Sequence, residues 1–370
     1  MIGVMTYLTS LTISHFRSHK QAKFNLDQRP VAISGPNGSG KTNILEAVSL
    51  FSPGRGLRGA SAEAMMRKAV SLGWKITGHV ASGDRIMEMV FTSLNGAARE
   101  VTIDGKSATQ LALAQHSRVL WLVPSMDRLW IEGAEGRRRF LDRITLSFFP
   151  KHAENTLRYE KSMRERNRLL KDQVRDPHWY KALERQMAEA GAAINTAREQ
   201  ALEFILASQQ GATTEFPLAG LELQQIEGFL PETAEDLYDA FEESRFRDLA
   251  AGRTMVGPHK TDVYGVYDAK GIPASQCSTG EQKALLISIV LANARALALD
   301  HAKAPLLLLD EVSAHLDKDR RAALYEEICA LGLQAWMTGT ERDLFEEFGE
   351  RALYIRVDEV DGISKSALTD

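Results

Sequence analysis

Eight consecutive residues, Gly35-Pro36-Asn37-Gly38-Ser39-Gly40-Lys41-Thr42, have the spacing of a loop that wraps a row of phosphates. Glycines let backbone N–H groups turn inward, and a helix starting at the end of the loop adds the positive end of its dipole. Lys41 supplies a point charge for β- and γ-phosphates, while the Thr42 hydroxyl is a hard oxygen ligand suited to Mg²⁺. The loop follows the apolar run Val31-Ala32-Ile33 and precedes the helical run Asn43 to Phe51, which is the setting the motif needs. A nucleoside triphosphate with Mg²⁺ is therefore the expected ligand.

Two further stretches carry chemistry. Leu306-Leu307-Leu308-Leu309 delivers Asp310 and Glu311 to the end of an apolar run, and a strand apolar on both faces belongs in the middle of a parallel sheet. There Asp310 would help hold Mg²⁺ and Glu311 would orient or deprotonate a water, although adjacent acids can also end an exposed turn. Ser278-Thr279-Gly280-Glu281-Gln282 opens the helical run Lys283 to Ala298. Alone it is a helix cap, with Ser278 at the cap and Glu281 three residues on; between a phosphate loop and an acidic strand it also suits an anion.

Positioning these groups takes a mixed scaffold. Tyr7, Thr9, Leu11 and Ile13 alternate as one side of a strand, with a turn around Arg17 to Lys20. Residues 74 to 106 read as an antiparallel meander, because Asn95-Gly96 and Asp104-Gly105 favour hairpin turns. From about 125 to 249 the signal is helical. Trp179, Leu183, Met187, Ala190, Ile194, Ala197, Ala201 and Phe204 form one stripe, and Tyr159, Met163, Leu170 and Val174 another before Asp176-Pro177, which predicts an antiparallel helix pair. Strand-like alternation returns after 250, followed by apolar strands at Pro305 to Leu309 and Leu333 to Met337. The expected fold is α/β, with a nucleotide-binding domain in two halves, 1–124 and 250–370, enclosing a mainly helical insert, 125–249.

The 370 residues carry 45 basic and 49 acidic side chains, a net charge of −4, with 44% hydrophobic residues, an ordinary globular composition. No run of 18 apolar residues occurs and the N-terminus lacks a basic stretch before an apolar one, so no membrane association and a cytoplasmic location are expected. Cys277 and Cys329 are too few for a disulfide framework. The even balance hides asymmetry: residues 137–181 hold thirteen Lys or Arg against six acids, and 221–250 hold two against nine. These limbs either neutralise each other or leave a basic face for phosphate backbones. Arg137, Arg138, Arg139 and Arg143 are candidates for double-stranded DNA, with salt bridging as the plainer alternative. Arg158, Lys161, Arg164 and Arg168 fall on one side of a helix and extend the candidate face. His259 has no second His or Cys at ligand spacing, so packing or a polar contact is expected of it.

The order of these elements, completed by Ser313-Ala314-His315-Leu316-Asp317, resembles that of ABC-type ATPases. The opening Leu11-Thr12-Ile13-Ser14-His15-Phe16-Arg17-Ser18, with Phe24 and Asn43-Ile44-Leu45-Glu46-Ala47, is similar to SMC-related head domains. Only 236 positions separate Thr42 from Ser278, so any arm is short. Gly136-Arg137-Arg138-Arg139-Phe140-Leu141-Asp142, Val256-Gly257-Pro258-His259-Lys260-Thr261-Asp262 and Thr338-Gly339-Thr340-Glu341 extend the resemblance, over nearly the whole chain, to the RecF family of recombination mediators. It implies an SMC head-like, ABC-type P-loop ATPase domain with an inserted helical domain. It also implies an ATP-dependent homodimer, in which Ser278, Gly280 and Glu281 of one protomer close on nucleotide held by the other. Arg17, Asn43 and Asp317 join the nucleotide contacts by the same resemblance. The implied activity is a DNA clamp near gapped DNA junctions that hydrolyses ATP slowly and, with RecR-like and RecO-like mediators, helps load RecA. Replication, recombinational repair and the SOS response are the implied processes.

The chain departs from the pattern in two places. Ser125-Met126 follow Pro124 where the family often has an acid, and Thr338-Gly339-Thr340 stands where transporter ATPases place a histidine. Gln115 is a candidate for a glutamine that reaches the nucleotide and equally reads as a surface residue. Two other functional classes remain open: an ATPase subunit of a transporter, and a nucleotide-gated interaction protein without a hydrolysis requirement.

Overall fold

The computed structural model describes residues 5–67, 73–210, 212, 214–225, 231, 233–300, 304–312 and 316–369. The chain divides into two compact units, one of Met1–Asp127, Gly211–Pro217 and Thr279–Asp370, the other of Arg128–Gln210 and Leu218–Ser278. The first begins with β1 (Thr6–Phe16), β2 (His19–Asn25), β3 (Val31–Ser34), α1 (Lys41–Ser49), α2 (Ala62–Met65), β4 (Trp74–Ser82), β5 (Arg85–Ser93), β6 (Glu100–Ile103), β7 (Lys106–Ala108), α3 (Leu113–His116) and β8 (Val119–Leu122). The second is built from α4 (Ala134–Phe148), α5 (His152–Lys171), α6 (His178–Gln209), β9 (Ala219–Gln225), α7 (Ala234–Ala251), β10 (Thr261–Tyr267) and β11 (Ile272–Pro273). The chain then returns to the first unit through α8 (Thr279–Arg295), β12 (Leu306–Leu309), α9 (Lys318–Ala330), β13 (Ala335–Gly339), β14 (Leu353–Val360) and β15 (Ile363–Thr369).

All strands of the first unit share one sheet, in the order β7-β6-β5-β4-β1-β2-β15-β14-β3-β13-β12-β8. The half from β14 to β8 is parallel, and β12 is buried along its whole length, as its unbroken apolar run requires. From β7 to β2 the sheet is antiparallel and contains the meander, where Asp104-Gly105 has positive φ at both residues, as a two-residue turn of the I′ type demands. In β1 the alternation differs from expectation. A register shift against β4 between Leu8 and Ser10 accommodates an extra residue, so Leu8, Leu11 and Ile13 face the core, while Tyr7 and Thr9 do not.

In the second unit α5 and α6 pair on either side of Pro177, and Tyr159, Met187, Ala190, Ile194, Leu237 and Phe241 make its core. Trp179, assigned to the stripe by spacing, is 64% exposed, and its neighbour Tyr180 is buried in its place. The unit is not purely helical: β9, β10 and β11 form a small antiparallel sheet. Because β10 pairs with β9 from Thr261 to Tyr267, residues 250–278 belong with this unit, not with the nucleotide-binding half to which their strand-like pattern pointed. Among the described residues no helix is long and apolar enough to cross a membrane.

Candidate functional site

The phosphate loop connects β3 to α1, and close packing explains its glycines. A Cβ on Gly35 would run into the Val357 carbonyl, and one on Gly40, at φ 103°, would collide with the hydroxyls of Ser364 and Ser18. Gly38, at φ 83°, has nothing around its missing Cβ. The buried ring of His19 braces the turn: its Nε2 lies 3.0 Å from the Gly40 carbonyl, so that nitrogen carries the proton, and burial lowers the pKa of the ring.

Inside the loop the Lys41 ammonium donates to the carbonyls of Gly35 (2.7 Å) and Pro36 (2.9 Å). Burial pulls its pKa below the ordinary lysine value, and the carboxylates of Glu311 and Asp310 oppose that shift. Thr42 Oγ1 donates to Asp310 Oδ1 at 2.9 Å. Two ligands at adjacent corners of a Mg²⁺ octahedron, each about 2.1 Å from the metal, stand about 3 Å apart, so this pair already has the spacing such an ion needs. Ser39 Oγ, buried without a hydrogen-bond partner, and the open backbone at Gly38 fit a loop that takes phosphate oxygens.

Asp310 and Glu311 leave the end of β12 in different ways. Asp310 Oδ1 also accepts from Thr338 Oγ1 at 2.7 Å, and the Thr338 hydroxyl in turn accepts the Glu311 backbone N–H at 2.9 Å. Glu311 sits at φ 54°, a left-handed conformation uncommon outside glycine and frequent where a side chain must be aimed. Thr338 is fully buried at the end of β13. Within the stretch that stands where transporters carry a histidine, Thr338 therefore fixes the Asp310 carboxylate and the Glu311 backbone, a role that its position in sequence did not disclose.

Arg17, also at positive φ, forms a fork with Glu46 of α1 (2.8 and 2.6 Å) and donates to the Ala64 carbonyl. Asn43 donates to Ser18 and accepts from Arg58. The structure thus brings Arg17, the loop, Asn43, Asp310 and Glu311 into one neighbourhood, to which it adds His19, Glu46, Thr338 and Ser364. Glu46 and Thr338 lay in stretches that the sequence singled out, the helix following the loop and Thr338-Gly339-Thr340-Glu341; His19 and Ser364 carried no chemical signal.

The remaining expected residues divide. α8 starts at Thr279, leaving Ser278 at the cap position; Ser278 and Gly280 are exposed and Glu281 is half-buried. Asp317 caps α9 through a 2.9 Å bond from the Arg320 N–H, while Ser313, Ala314 and His315 lie outside the described residues. Gln115 is exposed on the single turn α3.

The basic candidates all lie in the second unit. Arg137 is half-buried and gripped by Asp262 in a two-pronged pair (2.9 and 2.8 Å), and Arg143 is only partly exposed, with burial lowering its pKa to about 9. For Arg137 the pair is the salt bridging that the sequence left as the alternative to a DNA contact. Arg138 is half-buried, and Arg139 is exposed but pairs with Glu135. Arg158, Lys161, Arg164 and Arg168 are all exposed along α5. Of these, Arg158 pairs with Glu189 and Arg164 with Glu160. Asp248 of the acidic limb faces Arg166 instead, on the opposite, buried side of α5.

A profile of the RecF/RecN/SMC N-terminal domain matches residues 7–364. A DNA replication and repair protein RecF of Rhizobium rhizogenes strain K84 is 44% identical, covering 97% of this chain and 99% of the relative, and one from Caulobacter vibrioides is 43% identical over 95% and 96%. The chain belongs to the RecF family. Among solved structures, the recombination mediator RecF with a bound ATP analogue superposes with a TM-score of 0.83 at 23% identity, covering 99% of both chains. The Smc head domain of Pyrococcus furiosus gives 0.58 at 19% identity, over 99% of this chain and 96% of that one. The RecF-family chain accordingly has the α/β fold of ABC-type, SMC-like heads, and its phosphate loop and acidic strand occupy the parallel half of that sheet.

Proposed function

We propose that this RecF-family member is an ATP-switched clamp on double-stranded DNA, acting in replication and recombinational repair. The carrying observation is the Thr42–Asp310 pair beside the Lys41 ammonium: two hard oxygens at the spacing of Mg²⁺ ligands and a cation held ready on two loop carbonyls. Bound MgATP brings the phosphoanhydride and the neutralising metal. Lys41 would exchange its carbonyl partners for phosphate oxygens, and Thr42 and Asp310 would hold the metal. Glu311, aimed by its backbone bond to Thr338, orients the attacking water. Ser278, Gly280 and Glu281 are offered to the nucleotide of a second protomer, so ATP drives dimerisation and slow hydrolysis resets the clamp. Relatives named for DNA replication and repair, and a neighbour named for the RecFOR pathway, support gapped duplex DNA, RecO-like and RecR-like mediators and RecA as the wider setting.

The test is sedimentation of the wild type and of Glu311→Gln with ATP, with and without gapped duplex. Hydrolysis should fall about 10²-fold in the variant, within the range of general-base effects, and its ATP-bound dimer should persist on DNA. Ser278→Arg should bind ATP but stay monomeric. Wild-type turnover by Glu311→Gln, or no ATP-dependent dimer in either protein, would overturn the reading.

A further inference from the structure

The second unit contains a cavity of about 430 Å³ whose lining includes Arg138, Arg253 and Lys260, together with the start of α4 at Gly133 and Ala134. None of the three cations has an ion-pair partner among the described residues. Arg138 makes one long bond, 3.4 Å, to the Thr261 carbonyl. The single acid of the lining, Glu135, is engaged by Arg139 at 2.8 Å.

The wall that carries Lys260 is rigid. His259 Nε2 lies 3.1 Å from the Thr254 carbonyl and therefore donates to it, which leaves Nδ1 to accept from Tyr159 Oη at 2.8 Å. With both nitrogens used, the imidazole is a neutral strut. Gly257 packs so closely against Tyr159 that a Cβ there would strike the phenol oxygen, so the turn from 257 to 260 has one place to sit. Opposite, Asn167 Oδ1 accepts both the N–H and the hydroxyl of Thr254 at 2.8 Å, so what Asn167 has left to offer the cavity is its Nδ2 donor.

Donors and cations from three separate segments thus line one concavity, where the one acid, Glu135, is already paired with Arg139. The exposed cations of α5, by contrast, form a row, the arrangement that follows an extended backbone. A compact space with three cations suits a single anion of charge near −2, and a phosphate monoester carries about that charge at neutral pH. We propose that this cavity binds a phosphate monoester, either a free small-molecule ester or the terminal phosphate of a nucleic-acid strand. It shares no residue with the phosphate loop and does not depend on the ATPase reading.

The probe is phenyl phosphate, titrated calorimetrically into the full chain, into Arg253→Gln/Lys260→Gln and into Lys41→Met. The double variant should bind it about 10-fold more weakly or worse, since each lost charge-assisted bond is a large share of the affinity for so small a ligand. Lys41→Met should bind it as the wild type does, and ATP affinity should be unchanged in the double variant. Arg253→Lys/Lys260→Arg, which keeps both charges, should stay within about 3-fold, separating charge from disturbed folding. A duplex with and without terminal phosphates then distinguishes the two sources. A preference for the phosphorylated duplex that the double variant abolishes identifies a strand terminus, and equal binding of the two duplexes identifies a free ester. Absent binding of phenyl phosphate, equal binding by wild type and double variant, or a loss confined to Lys41→Met would overturn the proposal.

Discussion

In the second unit Arg166 is wholly buried, and its guanidinium donates four hydrogen bonds, to Glu184, Asp248, Thr254 and the Phe241 carbonyl, while Arg245 closes the other side of Glu184. In the first unit Lys41 is almost as buried, yet its ammonium rests on two neutral carbonyls, with Asp310 and Glu311 near enough to act on it and not paired with it. Both units bury charge. The helical unit satisfies it internally and gains a fixed geometry, whereas the phosphate loop holds its charge for a partner outside the chain. A buried cation is therefore informative about function only once its acceptors are known: a complete set of carboxylates marks structure, and a set of replaceable carbonyls marks a site.

The sharpest way to break this contrast is to remove each cation. Arg166→Met leaves Asp248 buried without its cation and Glu184 with Arg245 alone, and uncoupling one partner of such a pair costs about 3–5 kcal/mol, so urea denaturation should show a large loss of stability. Should stability hold within about 1 kcal/mol, the network is better solvated than its burial indicates.

The next effect is set by pH. Burial lowers the His259 pKa to about 4 from an unfolded value near 6.5, so folding requires the neutral ring. The associated stability is complete above pH 6.5 and is lost as the pH falls toward 4, amounting to about 2–3 kcal/mol by pH 4.5. Denaturation midpoints at pH 7 and 4.5 should diverge in the wild type and much less in His259→Asn. An equal divergence in both proteins would assign the acid sensitivity to carboxylates elsewhere.

Lys41→Met is the counterpart in the first unit, and its effect should appear in binding, not folding. Losing the charged donor should weaken ATP binding about 10–100-fold, the range of one charge-assisted hydrogen bond, with little change in the urea midpoint. An unchanged affinity for ATP in calorimetry would remove the loop from the site.

These contrasts also mark how far the sequence could be read. The phosphate loop was legible because its chemistry is written in eight contiguous residues, and β12 because a strand buried on both faces has no polar position to disguise it. Gly40 is hemmed in by Ser18, before the loop, and by Ser364, near the far end of the chain, and no local pattern joins them. Arg137 and Asp262 are 125 positions apart, so sequence could not choose between salt bridging and a basic face for the arginine run. The β1 bulge displaced a clean alternation by one residue, and the short β9 gave too little period to announce a sheet inside a helical insert.

The smallest effect concerns DNA, and it asks whether exposed cations behave differently from the paired ones. Lys161 and Arg168 stand exposed on α5 without an ion-pair partner among the described residues, whereas Arg137 on α4 is held by Asp262. Each phosphate that a protein neutralises contributes about −0.9 to the slope of log affinity against log salt. If the α5 row lies along a backbone, replacing Lys161 and Arg168 by Gln should make that slope shallower by about 2 and weaken binding at 50 mM salt more than at 200 mM, with no change in base preference. Arg137→Gln should leave the slope alone, because that guanidinium is already matched by a carboxylate and releases no counterion from DNA. An unchanged slope in the α5 double variant would take the row off the DNA surface, and a shallower slope in Arg137→Gln would show that the Asp262 pair opens when DNA arrives.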